Sequence, residues 1–245
     1  MFTILIIIVS VLVVGLLAYV IVNKLPKSSR PIISVLLWLL IIFLGYKIYA
    51  GIMNPIKFNE EKKIRYTKVI DNLKIIRDAE LAYKEVTGKY TDKPDALIKF
   101  IDTAKFAITQ TRNEVITVNK GGGITADEER KVIDTIGYKP VKDNFVNRDY
   151  NDMFDVPGTD SKITIQTGFV EKVQGVKAPV FEAKIAKDIV LHGMNRDLIR
   201  QEKEALGGTE VKGEFISVGS LDDVKTSGNW PPSYDSAEEI EANKE

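Results

Sequence analysis

Two uninterrupted apolar runs near the N-terminus, at 2–23 and 32–50, constrain this chain more than any other feature of its sequence. Each is about twenty residues long, which at helical rise spans a hydrocarbon core of roughly 30 Å. Neither contains an acid or a base until Lys47, whose aliphatic stem lets its ammonium reach headgroups, and the adjacent Tyr46 and Tyr49 suit a membrane interface. A cleaved signal peptide would carry a basic leader, a shorter apolar run and an A-x-A site, which the first run lacks. The sequence therefore predicts a two-helix transmembrane hairpin over 1–53, with spans at about 2–23 and 32–50 joined by the short loop KLPKSSRP.

Lys24, Lys27 and Arg30 in that loop place it in the cytoplasm by the positive-inside tendency, and the N-terminus and the large C-terminal part outside. Lys57, Lys62, Lys63, Arg65 and Lys68, just after the second span, pull the other way. Neither run holds an acid, a histidine or a helix break of the kind ion pathways use, so a channel or pump is not expected.

Outside the spans the chain is polar and charge-balanced, with 34 Lys and Arg against 34 Asp and Glu, so no whole-protein field points to nucleic acid. There is no cysteine, which excludes disulfides, thiolate nucleophiles, thiolate-bound zinc and iron–sulfur ligation by this chain. The lone histidine, His192, makes a histidine metal site or a nucleophile–histidine pair improbable. No catalytic residue, cofactor or metal is expected.

Residues 58–87 form a long charged helix directly after the second span. Tyr66, Val69, Leu73, Ile76, Tyr83 and Val86 recur at steps of three and four, with Ala79 between them, and line one side of a rod about 45 Å long. Such a stripe needs a covering surface, either the protein's own head or a partner. Ile64, Ile70, Ile75 and Leu81 lie off the seam and widen it beyond a strict coiled-coil pattern.

Asn54-Pro55 is expected to cap the start of this helix and Gly88 to stop it. Asp92-Lys93-Pro94 then opens a shorter helix with Leu97, Ile98, Phe100 and Ile101, giving a juxtamembrane helical hairpin over 54–103. A mixed α/β head follows over 104–230. Two short strands are expected within 106–118. Gly121-Gly122-Gly123 makes a flexible link, and Thr125 with Glu128 forms a capping box before a helical turn through Ile133. The triplet lacks the neighbours of a phosphate-binding loop.

Further strands are expected at 138–141, 163–167, 180–185, 189–191 and 215–218, with a helix over 195–206. The tail, 231–245, is acidic and expected to be disordered. Helices first and strands later predict an α+β fold with mainly antiparallel strands.

Three places invite a chemical reading. The acids and amides at 147–155 lack the glycine and terminal glutamate of a calcium loop and read as a turn. His192 sits where a strand is expected to end, with no nucleophile or carboxylate pair fixed by spacing, and reads as structural. Trp230, beside Pro231-Pro232, either plugs the edge of the core or meets a partner. The candidate partner-binding residues are accordingly Tyr66, Val69, Leu73, Ile76, Tyr83 and Trp230.

The segment AGIMNPIKF at 50–58, with IRYTKVIDNLKIIRDAELAYKEVTGKYTDKPDALIKFI after it, resembles an uncharacterised family of membrane-anchored proteins of Bacteroidota. The likeness continues through NRDYNDMFDVPGT, APVFEAKI, ISVGSL and GNW. It implies an envelope module and carries no activity to transfer; members commonly have one span where this chain has two apolar runs. A weaker resemblance, to type IV pilin-like subunits, rests on Phe2-Thr3-Ile4-Leu5 and on Ala79, Tyr83, Gly88 and Tyr90. The acidic residue near the mature N-terminus of a pilin is missing.

These readings lead to a non-enzymatic, multi-pass protein of the bacterial inner membrane with a periplasmic head. It would act as a structural or interaction component of an envelope assembly. Its partners would be the bilayer and either an envelope protein or a second copy joined through the juxtamembrane helix. A membrane-tethered enzyme or ligand sensor and a pilin-like subunit are the alternatives.

Overall fold

The computed structural model describes residues 12, 14–16, 18–20, 23, 30–119, 125–173, 175–236 and 241. The chain divides into two compact units, Met1–Lys57 and Phe58–Glu245. It is α+β, with one long N-terminal helix and small antiparallel sheets.

In the first unit the expected span at 2–23 and the loop at 24–30 lie largely outside the described residues, so a two-helix hairpin is not shown; the described positions between 12 and 23 are helical. The expected span at 32–50 lies within helix α1, Arg30–Thr87. This helix contains a stretch long and apolar enough to cross a membrane, and none of that stretch is buried by the protein. The ammonium of Lys47 lies 5.8 Å from the ring centre of Phe43, one helical turn away.

Asn54-Pro55 does not start a new helix, contrary to the sequence reading, because α1 runs through Pro55 without a break. A proline inside a helix removes one amide, here the partner of the Gly51 carbonyl, and the turns on either side carry the helix past it.

The second unit begins with the remainder of α1. Tyr66, Val69, Ile70, Leu73, Ile76 and Ala79 are buried at helical spacing. The helix stops where expected: Gly88 takes a φ of 80°, and its amide donates to the Lys84 carbonyl at 2.7 Å. Helix α2, Pro94–Thr103, has proline in its first turn and buries Leu97, Phe100 and Ile101. Tyr83 meets Phe100 edge to face, 4.9 Å between ring centres.

The chain then forms β1, Lys105–Asn119, and β2, Thr125–Pro140, an antiparallel two-stranded ribbon. Two expectations are corrected here. One strand of 15 residues replaces the two short ones, and the expected helical turn over 125–133 is strand. The capping-box spelling loses to strand pairing, since every residue from Thr125 to Ile133 faces a partner on β1.

After a 3-10 turn at Val141–Phe145, strands β3, Thr164–Val173, β4, Val176–Ala186, and β5, Phe215–Gly219, make an antiparallel sheet in the order β3-β4-β5. Phe181, Ala183 and Ile185 of β4 alternate inward, as do Ile216 and Val218 of β5. One hydrophobic cluster joins these residues to the buried stripe of α1 and to α2. Gly219 ends β5 at a φ of 79°, where a Cβ would lie 2.3 Å from the Phe181 carbonyl oxygen, so only glycine fits.

The expected strand at 189–191 is instead α3, a single turn at Lys187–Val190. The reason is Lys187. Its fully buried ammonium needs acceptors, and the turn aims it at the carbonyls of Glu202 and Val211, 2.6 and 2.7 Å away. Helix α4, Arg196–Lys203, lies within the expected 195–206 and stops short of its end; the Asn195 side chain caps it, accepting from the amides of Asp197 and Leu198.

The tail also departs from expectation. Pro231 is buried, Pro232–Tyr234 form a 3-10 turn, and Tyr234 lies against Tyr66 at 6.4 Å. Lys74 donates to the Tyr234 carbonyl at 2.8 Å and pairs with Asp235 at 3.1 Å. Beyond Ser236 the acidic stretch lies outside the described residues, save Glu241.

Candidate interaction surface

The structure reassigns most of the residues expected to meet a partner. Tyr66, Val69, Leu73 and Ile76 have at most 1 % of their surface exposed, and Tyr83 is half-buried against Phe100. Trp230 plugs the core edge as the first of its two readings has it, its indole N–H donating to Asp235 at 2.9 Å. From Tyr66 to Ala79 the stripe is covered by the molecule's own core, whereas Val86 at its far end is exposed. The part from Tyr66 to Ile76 is therefore not a free docking face.

The polar groups buried around α1 are fastening devices. Lys62 donates to the Glu202 carboxylate at 2.7 Å, and the Tyr66 hydroxyl reaches the other oxygen at 3.4 Å. Burial, then the Glu202 charge, lifts the Tyr66 hydroxyl far above its usual range. Burial pulls Lys187 below the usual ammonium value, against the raising pull of Glu202. The group ties α1, α3, α4 and the loop at Val211 together and is sealed from water, with Lys187 at 0 % and Glu202 at 4 % exposed.

The segment 147–155 is a turn, as its spacing indicates. Asn147 takes a left-handed φ of 68°, which asparagine tolerates. Arg148 pairs with Asp78, Asp155 pairs with Lys162 at 2.8 Å, and Tyr150, Met153 and Phe154 fold into the core.

Two open clefts lie on the described surface. One, of about 780 Å³, is lined by Asp188, His192, Arg196 and Ile199 among others. His192 is exposed there, its Nδ1 3.0 Å from the Ile189 carbonyl, with no carboxylate bonded to the ring among the described residues. Asp188 is already taken by Lys203 at 2.6 Å. The other, of about 850 Å³, lies beside Asn72, Arg148 and Tyr234.

What stands unsatisfied is the β1–β2 ribbon. Its base is fixed: the Val141 amide donates to the Ala104 carbonyl at 3.0 Å, and half-buried Phe106 packs on the core. Beyond Phe106 no described residue of either strand is buried. Val115, Ile133, Ile136 and Tyr138 are 61–68 % exposed. Among the described residues no third strand joins it, so a free edge runs along each strand.

A two-stranded ribbon in water is marginally stable, since it has no covered face to offset the entropy of ordering. The sequence shows its β-branched residues but not its isolation. Apolar groups alternate on both faces here, Val115 on one and Ile108, Ile116 and Val132 on the other, which ordinarily signals a strand covered on two sides. Sequence reasoning missed this element as a site.

No family model, curated protein or solved structure matches the chain.

Proposed function

We propose that the protein is a non-enzymatic interaction component of a bacterial envelope assembly, held in the inner membrane and contacting its partner through the β1–β2 arm. The single observation that carries this reading is the arm, a long ribbon with exposed apolar groups and two free edges on an otherwise well-packed head. A protein does not ordinarily leave such an edge open to water, because it templates pairing with another chain.

The uncovered apolar stretch of α1 supports the anchor. The first apolar run, at 2–23, supports a two-span arrangement, and the basic loop between the runs supports a periplasmic head.

Removing 109–135 and closing the strands with a short turn tests the reading. The trimmed chain is expected to stay in carbonate-washed membranes and to lose the cross-linked complexes formed by the full chain in cells. A full chain in the soluble fraction, or complexes that survive the trimming, would sink it.

A further inference from the structure

The two edges of the arm are not equivalent. β2 carries the features that discourage strand addition: the block Asp127 to Lys131, a bulge at Ile136, then Gly137 and a terminal Pro140. β1 carries none of them. From Ile108 to Val118 it is rich in β-branched residues, has no proline or glycine, and holds two charges, Arg112 and Glu114.

Those two charges flank Asn113. When a strand pairs antiparallel with a copy of itself about a two-fold axis, residues equidistant from the axis come to face each other on one side of the sheet. With the axis at Asn113, Arg112 faces Glu114 of the second copy, and Glu114 faces its Arg112. Thr109 then faces Thr117, and Ile108 faces Val118. The two Asn113 amides meet at the axis, where each can donate to the other.

Moving the axis by one residue opposes Arg112 to Arg112 or Glu114 to Glu114. Moving it by two sets both charges against neutral side chains. Within one chain Arg112 already pairs with Asp134 at 2.7 Å, and Glu114 lies opposite Arg130. The added strand therefore continues a row of alternating charge, Arg130–Glu114–Arg112, across three strands on one face.

Resting on the interaction reading above, we propose that the partner of the arm is a second copy of this chain, joined β1 to β1 in antiparallel register about Asn113. The product is a four-stranded sheet in the order β2-β1-β1-β2. It has twice the strands of a ribbon that is marginal alone, and only the guarded β2 edges remain exposed.

The chain has no cysteine, so single thiols report the register cleanly. In full-length protein in nanodiscs and in native membranes, Asn113→Cys is expected to form a homodimer on mild oxidation or with a short bis-maleimide. Thr109→Cys alone is not, whereas a mixture of Thr109→Cys and Thr117→Cys chains is. Adding Glu114→Arg to Asn113→Cys lowers cross-linking about tenfold, and adding Arg112→Glu, with Arg130→Glu and Asp134→Arg to keep the pairs inside the ribbon, restores it.

A monomeric Asn113→Cys chain, or a Thr109→Cys homodimer with no Asn113→Cys homodimer, overturns the proposal. If Asn113→Cys instead yields an adduct with a different protein in membranes, the second copy is wrong and the interaction reading stands. If no arm position yields an adduct and trimming the arm changes nothing, both fall.

Discussion

Glu80 is a carboxyl buried against its chemical preference. It sits on α1 with no exposed surface; one carboxyl oxygen accepts the Thr91 amide at 3.1 Å and the other has no partner. Burial raises its pKa from 4.5 to about 8, opposed by the Thr91 amide and reinforced by Asp92. A carboxyl with a raised folded-state pKa binds its proton more tightly in the folded than in the unfolded chain. The stability it supports is fully present below pH 4.5 and is lost as the pH rises toward about 8. Chemical denaturation of the full chain in detergent is therefore expected to weaken by on the order of 3 kcal/mol between pH 5 and 7.5. Glu80→Gln should flatten that slope, and an equally steep slope in the variant would place its cause elsewhere.

At the scale of elements, the arm and the end of the chain exchange the roles their sequences suggest. The ribbon, read as short strands and a turn inside the head, contributes almost nothing to its core beyond Phe106. Residues 231–236, read as the start of a solvated tail, are fastened by Lys74, Tyr66 and Trp230. Removing 109–135 should thus shift head unfolding by less than about 1 kcal/mol, because no buried side chain is lost. Trp230→Ala should cost about 3 kcal/mol by opening a cavity and releasing Asp235. Urea unfolding followed by circular dichroism measures both; a large loss on trimming the arm would show that the ribbon supports the core.

At the scale of the whole molecule, the boundary between Lys57 and Phe58 separates surfaces suited to different solvents. On the N-terminal side the described large apolar groups are exposed; on the C-terminal side most gather into one cluster, with the arm the main exception. A chain cut to 58–245 is expected to fold and remain in the aqueous phase of a detergent phase separation, while the full chain partitions into detergent. Circular dichroism and gel analysis of the two phases check this, and an unfolded or detergent-seeking fragment would count against the division.

The apolar runs, the three-and-four stripe on α1, the stop at Gly88, the helix near 195–206 and the strands near 163–167, 180–185 and 215–218 were legible in the sequence. Each is set by local periodicity or by one residue's backbone preference, and short-range physics writes these into neighbouring positions. The tertiary structure decided what covers what. Tyr66, Leu73 and Ile76 look the same in sequence whether a partner or the protein's own sheet buries them, and 125–133 can be spelled as a capped helix until β1 offers it a ladder. Lys187 turns a β-like segment into a helical turn only because acceptors from 202 and 211 converge on it. Burial and strand pairing join residues far apart in the chain, and that is why no local pattern could disclose them.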